Sequence, residues 1–209
     1  MTKRTAVLSL AFAVLGTIAA IGQAAPAQFS ADMVMHSPRG NNMNGKFFFG
    51  GTRTRTDMTM PDGGSMSTIT NVPEKKVFIV MHQRRMYMEH DVNQAAMMGR
   101  GPRTPEIKEY DPNNPCSNME GTTCKKVGAE TVNGRNCEKW EFSKNGQLEE
   151  TKWIDRKLRV PIKTVREDGT TYEFQNLKEE AQPDSVFEIP AGYQKMDMGN
   201  MMRGMGKQR

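Results

Sequence analysis

Eighteen of the 209 residues are methionine, and several stand two residues apart: Met33 and Met35, Met58 and Met60, Met86 and Met88. In an extended chain that spacing puts both side chains of a pair on one face. Thioethers are flexible, polarizable and soft. A face built from them suits a shape-variable apolar molecule such as an acyl chain, or a soft metal ion, above all Cu(I). A second set, Met196, Met198, Met201, Met202 and Met205, crowds the C-terminal end, while His36 and His82 directly follow Met35 and Met81. Copper handling is therefore the alternative reading of the chain, with those five terminal methionines as its candidate ligands.

Catalytic chemistry is thinly represented. His36, His82 and His90 form no His-Glu-x-x-His pair, and no Gly-x-Ser-x-Gly elbow occurs. Gly206-Lys207 is followed by Gln208, where a phosphate-binding loop needs Ser or Thr. Cys137 reads as a small buried residue on a strand rather than a nucleophile, because free cysteine is among the most buried residue types. These absences point to a protein that binds rather than catalyses, with no cofactor.

Positioning begins with the compartment. Lys3 and Arg4 precede an apolar run from Ala6 to Ile21, and small residues follow with cleavage sites after Ala24 or Ala27. This is the three-part form of a secretory signal peptide, so residues 1–27 are set aside from the fold and the chain is expected in the periplasm. Without Lys3 and Arg4 the chain has 27 basic against 24 acidic residues, about +3, with both signs mixed throughout. That balance excludes a nucleic-acid-binding profile, which gathers basic residues on one face. Arg84 and Arg85 read as an exposed hairpin turn.

Three cysteines in an oxidising compartment imply one disulfide and one thiol. Cys116 and Cys124 flank a short polar loop, and counting back from the Asn133-Gly134 turn puts Glu130, not Cys124, opposite Cys137. The expected bridge is Cys116–Cys124.

Asn-Gly and Asp-Gly pairs at 44–45, 62–63, 133–134, 145–146 and 168–169 punctuate the chain with tight turns. The segments between them predict about eleven strands: 29–36, 46–50, 52–60, 65–72, 77–82, 85–90, 124–132, 135–142, 148–155, 160–168 and 170–177. An antiparallel, all-β fold with minor helix follows, since no strands alternate with long amphipathic helices. Residues 91–115 interrupt the meander and read as a lid or a disordered excursion, with a helical turn or two at 93–98. One domain spans residues 28–193, and residues 194–209 form a disordered, methionine-rich tail. In residues 52–60, Thr56, Met58 and Met60 share one face and Arg53, Arg55 and Asp57 the other. This predicts a curved sheet with an apolar concave side and a wet convex side.

The order of several short motifs resembles the bacterial periplasmic lipoprotein-carrier superfamily, the LolA/LolB-like proteins. They are Gly45 to Phe49, Arg53 through Pro61, Val77 to Val80, Arg85 to Met88, Thr151 to Val165, and the closing Val186-Phe187-Glu188-Ile189-Pro190-Ala191-Gly192-Tyr193. The resemblance implies a highly curved, unclosed half-barrel with a short helix or loop over its concave face. It also implies a non-enzymatic carrier or sensor of a lipid, a lipoprotein acyl chain or a similar hydrophobic ligand. A membrane lipoprotein is then a possible partner, and the protein is a monomer. Such carriers hold a lid with an early-strand arginine; Arg53 and Arg55 occupy that region here, but on the face opposite Met58 and Met60. The candidate lining residues are Met33, Met35, Phe47, Phe49, Met58 and Met60 in the first strands. Ile79, Met86, Met88, Tyr172 and Phe174 complete the set.

Overall fold

The computed structural model describes residues 27–40, 42–60, 63–92, 107 and 109–196. Hairpin turns with positive φ at Gly63, Asn133, Gly134, Asn145, Gly146 and Gly169 return the chain repeatedly on itself, but Asn44-Gly45, expected as a turn, runs extended inside a strand between Met33 and Met58. The strands are β1 (Phe29–His36), β2 (Met43–Phe49), β3 (Arg53–Thr59), β4 (Ser65–Asn71), β5 (Lys76–Met81) and β6 (Met86–Asp91). After the long connection come β7 (Thr122–Val132), β8 (Arg135–Lys144), β9 (Gln147–Asp155), β10 (Pro161–Arg166) and β11 (Thr171–Glu179). A 3-10 turn (Asp184–Phe187) and a two-residue β12 (Gln194–Lys195) follow.

All twelve strands join one sheet in the order β12-β6-β5-β4-β3-β2-β1-β11-β10-β9-β8-β7, and the sheet does not close into a barrel. Two meanders, β1–β6 and β7–β11, are thus welded side by side where β11 pairs antiparallel with β1. The all-β, unclosed half-barrel expected from the sequence is the fold observed. The expected opposition of Glu130 and Cys137 is also present.

Burial distinguishes the two faces. The inner face carries Phe29, Met33, Phe47, Phe49, Met58 and Phe174, all buried in one cluster. The Phe47 and Phe174 rings stack with centroids 4.7 Å apart, and Phe29 sits 5.3 to 6.0 Å from Phe47, Phe49 and Phe174. Gly45 makes this possible: Met33 and Met58 flank it in register, and a Cβ there would come within 2.2 Å of the Asp57 carbonyl oxygen. Toward β8 and β9 the inner face is covered by the end of the long connection. There Tyr110 and Cys116 pack on Trp140, Phe142 and Ile154.

The outer face of β3–β6 departs from expectation. A wet surface was predicted there, yet Ser67, Ile69 and Val80 are fully buried. The C-terminal segment covers them, with Phe187, Val186 and Tyr193 packing on Ile69, Val80, Phe48, Phe78 and Tyr87. Gly50 leaves the room for Phe187, whose ring lies 2.7 Å from where a Cβ would stand. Alternation along the strands specified two faces; it did not reveal that a distant segment returns to bury the polar one.

The expected signal peptide and the helical turn at 93–98 lie outside the described residues, except for Ala27 at the signal's end. Most of the expected tail lies outside them as well, but its first residues pair as β12, parallel to β6.

Candidate functional site

The registers of three successive hairpins place Met58 opposite Met66, Met66 opposite Met81, and Met81 opposite Met86. One straight row of four methionines therefore crosses β3, β4, β5 and β6 on the inner face. The next row reads Thr56, Thr68, Ile79, Met88, and the one after it Thr54, Thr70, Val77, His90. Met58 is buried at the core end of its row, and Met66, Met81 and Met86 are half-buried.

The candidate lining residues divide accordingly. Met33, Phe47, Phe49, Met58 and Phe174 are buried against one another. A cavity of only about 10 Å³ lies beside them, bordered by Ile107, Ile162 and Phe174 among others, with room for no more than a water. Met35 stands half-buried between Met43 and the buried Tyr172. Met60 is half-buried just past the end of β3, and Ile79 and Met88 oppose each other, both half-buried. Among the alternative copper ligands only Met196 is described, beyond β12; Met198, Met201, Met202 and Met205 lie outside the described residues. Met66 and Met81, which belong to no pair spaced two residues apart, complete the row. The Asp62-Gly63 dipeptide and the turn before Met86 carry the signal for them, since register counted outward from each sets Met58 opposite Met66 and Met81 opposite Met86.

On the outer face a polar cluster lies under the C-terminal segment. Asp57 accepts hydrogen bonds from Arg55 Nε and Ser67 Oγ, each at 2.6 Å. Ser67 Oγ accepts from Arg55 Nη2 (3.2 Å) and lies 2.6 Å from His82 Nε2, while His82 Nδ1 is 2.9 Å from the Tyr193 hydroxyl. Every group is satisfied if His82 carries its proton on Nε2 and Tyr193 donates to Nδ1. A serine against a histidine suggests a nucleophile and its base, but Ser67 is wholly buried and the carboxylate holds the serine instead of orienting the histidine. The cluster acts as a clamp. Arg55 also donates to the Val186 carbonyl (3.0 Å), and Arg53 pairs with Asp184 and lies over the Phe187 ring at 4.9 Å. Both early-strand arginines thus hold a cover in place, on the outer face.

At the opposite end of the sheet Lys152 is buried on the inner face. It donates to the Tyr110 hydroxyl (2.7 Å), pairs with Glu150 (2.7 Å) and sits 4.7 Å from the Phe142 ring centroid. Burial opposes its charge, but Tyr110 and Glu150 outweigh burial and raise its pKa above the ordinary lysine value. Its bond to Tyr110 fastens the long connection to the sheet. Cys137 is a free, buried thiol whose pKa burial pushes up to about 11, with the Asp155 carboxylate adding to the shift. It stays protonated and inert, as read from its strand position. Cys116 and Cys124 form the expected disulfide, their Cα atoms 5.8 Å apart, which suggests an oxidising compartment.

A shallow concavity of about 410 Å³ opens on the outer face of β2, β1 and β11, where Asp32, Lys46, Phe48, Asn176 and Lys178 border it. Asn176 and Lys46 donate to Asp32 and depress its pKa below the usual carboxylate range. Asp32 and Lys46 pair across the concavity at 3.1 Å. Among the described residues, no group of three His, Cys, Asp or Glu side chains could hold a metal ion.

One open twelve-stranded sheet, with an inner apolar face closed at its centre and methionine-lined at one end, defines an all-β half-barrel. The chain belongs to the family described as Domain of unknown function (DUF4412), whose match spans residues 30–159, from β1 through β9. That span includes every methionine row and stops short of the C-terminal clamp. No curated protein matches the chain. An uncharacterized conserved protein from Thermus thermophilus shares the fold at a TM-score of 0.54 and 10% identity, over 83% of this chain and 91% of that one. A LolA superfamily protein from Nitrosomonas europaea aligns at a TM-score of 0.39 and 8% identity, over 79% of this chain and 91% of that one. The MucA/MucB complex of Pseudomonas aeruginosa aligns at a TM-score of 0.41 and 15% identity, over 80% of this chain and 57% of that one. These alignments include one member of the superfamily that the sequence resembles.

Proposed function

We propose that the protein is a non-enzymatic periplasmic binding protein, a carrier or sensor that holds a lipid, a lipoprotein acyl chain or a similar hydrophobic molecule. The ligand lies on the inner face of β3–β6, over Met66, Ile79, Met81, Met86 and Met88. One observation carries the reading: the inner face is apolar and fully packed at its centre, yet its methionine end remains half-buried. Full burial of an exposed Met or Ile side chain is worth roughly 1.5–3 kcal/mol, and an apolar guest recovers the part that these half-buried side chains still leave in water. Unbranched thioethers adapt to guests of varied shape better than Val or Leu. The signal-like N-terminus and the disulfide support an exported site of action. The cargo-bearing partner is then a membrane lipoprotein, met by a monomer.

Uptake of a fluorescent fatty acid tests the proposal. The unaltered protein takes up the probe, and Met88→Lys, which places a charge on that face, abolishes uptake while the circular dichroism spectrum is unchanged. No uptake by the unaltered protein at micromolar concentration overturns the reading.

A further inference from the structure

Methionine is not a preferred strand residue; a sheet face that needs only packing draws on Val, Ile, Phe and Tyr. The neighbouring rows on this face carry the β-branched residues Thr, Ile and Val across β3–β5, with Met88 and His90 only at the β6 edge. The row Met58, Met66, Met81, Met86 contains no other residue type across four adjacent strands. Directly opposed side chains in an antiparallel pair have Cβ atoms about 4.5–5.5 Å apart, and each methionine has three rotatable bonds beyond its backbone. Three consecutive thioethers of one row can therefore reach a single ion.

The sheet edge supplies more sulfur. β12 runs parallel to β6 with Gln194 beside Met86 and Lys195 beside Tyr87, and the Met196 N–H donates to the Tyr87 carbonyl at 2.7 Å. Lys195 pairs at 2.6 Å with Glu89, which alternates onto the outer face with Tyr87. The next residue, Met196, alternates to the inner face at the level of Met88.

Ligand chemistry then selects the ion. Neutral thioethers without carboxylate, thiolate or a cluster of imidazoles bind soft monovalent ions and reject Zn(II), Ca(II) and Mg(II). A single positive charge also tolerates a half-buried, uncharged site far better than a double one. We infer that Met66, Met81 and Met86 form a binding site for one Cu(I) ion, or isoelectronic Ag(I), on the inner face of β4–β6, with Met88 or Met196 at its edge. This places the soft-metal site on the sheet, where register holds the ligands, and not in the sequence after residue 196. It does not rest on the proposed lipid role.

The test is anaerobic titration of the protein, carrying no added histidine tag, with Cu(I) against a chromophoric Cu(I) chelator, alongside native mass spectrometry with Ag(I). Unaltered protein binds one ion. Replacing Met66, Met81 and Met86 together by leucine weakens binding roughly 10-fold or more, and M86L alone weakens it measurably. Leucine at Met198, Met201, Met202 and Met205 leaves it unchanged. Leucine preserves apolar volume, so the variants remain folded by circular dichroism. Fatty-acid uptake by the unaltered protein is read in a separate assay, so that failure of this site is distinguished from failure of the lipid reading. Absence of one-to-one binding overturns the proposal, as does equal binding by the triple variant or loss of binding in the variant altered after residue 196.

Discussion

The inner face is one continuous surface built in two ways. Over β1, β2 and β11 it consists of phenylalanine rings in fixed mutual geometry, with Phe29, Phe47, Phe49 and Phe174 all buried. Across β3–β6 it consists of a methionine row whose burial falls away from Met58 toward the edge. Rigid rings suit a surface that must hold one shape, and flexible thioethers suit one that must accept a guest. The difference makes the centre a packed core and leaves the end open for the binding proposed there, although both read as the same apolar alternation.

Truncation is the strongest way to break that comparison. Phe47→Ala removes a ring stacked on Phe174 and should cost about 3–5 kcal/mol in urea denaturation. Met86→Ala, at the half-buried end, should cost well under half as much. Equal losses would make the methionine end part of the core and leave no separate site. A smaller effect is expected at the clamp on the outer face. Arg55→Ala removes donors to Asp57, Ser67 and the Val186 carbonyl. It should lower stability by about 1–3 kcal/mol and speed hydrogen exchange over residues 185–196. Ligand uptake on the inner face should persist; its loss would show that the two faces are coupled.

The smallest effect concerns acid. Hydrogen bonds from Lys195 and then Lys76 hold the Glu89 carboxyl below its ordinary value of 4.5. A folded pKa below the unfolded one means that the carboxylate's contribution is fully present above about pH 4.5 and fades as the pH falls through the folded value. Glu89 joins β5 and β12 to β6. Exchange of the Met196 amide should therefore accelerate below about pH 4.5, before the Phe29–Phe174 region responds.

Much of this arrangement is legible in local chemistry. Alternation and turn residues gave β1 its bounds, and the Asn133-Gly134 turn alone set Glu130 against Cys137. The short polar loop identified the Cys116–Cys124 bridge. The methionine row was only half legible. Each pair two residues apart marks a face, but the row depends on three registers in succession, so Met66 and Met81 emerge only when the hairpins are laid side by side. The burial of the outer face is illegible for a related reason. Arg53, Arg55 and Asp57 alternate as a solvated surface would, and the segment that covers them arrives 131 residues later in the bond from Arg55 to Val186.

The sequence by itself determined most of the strands and turns, the disulfide and the existence of two faces, because φ preferences and two-residue periodicity act within a few residues; Asn44-Gly45, drawn into β2, and the β12 edge strand are the exceptions. Tertiary structure alone decided the rest. Burial belongs to whatever packs against a face from afar, so only the assembled sheet could close the aromatic centre, hide the polar cluster beneath the C-terminal segment, and leave the methionines aligned and half-open.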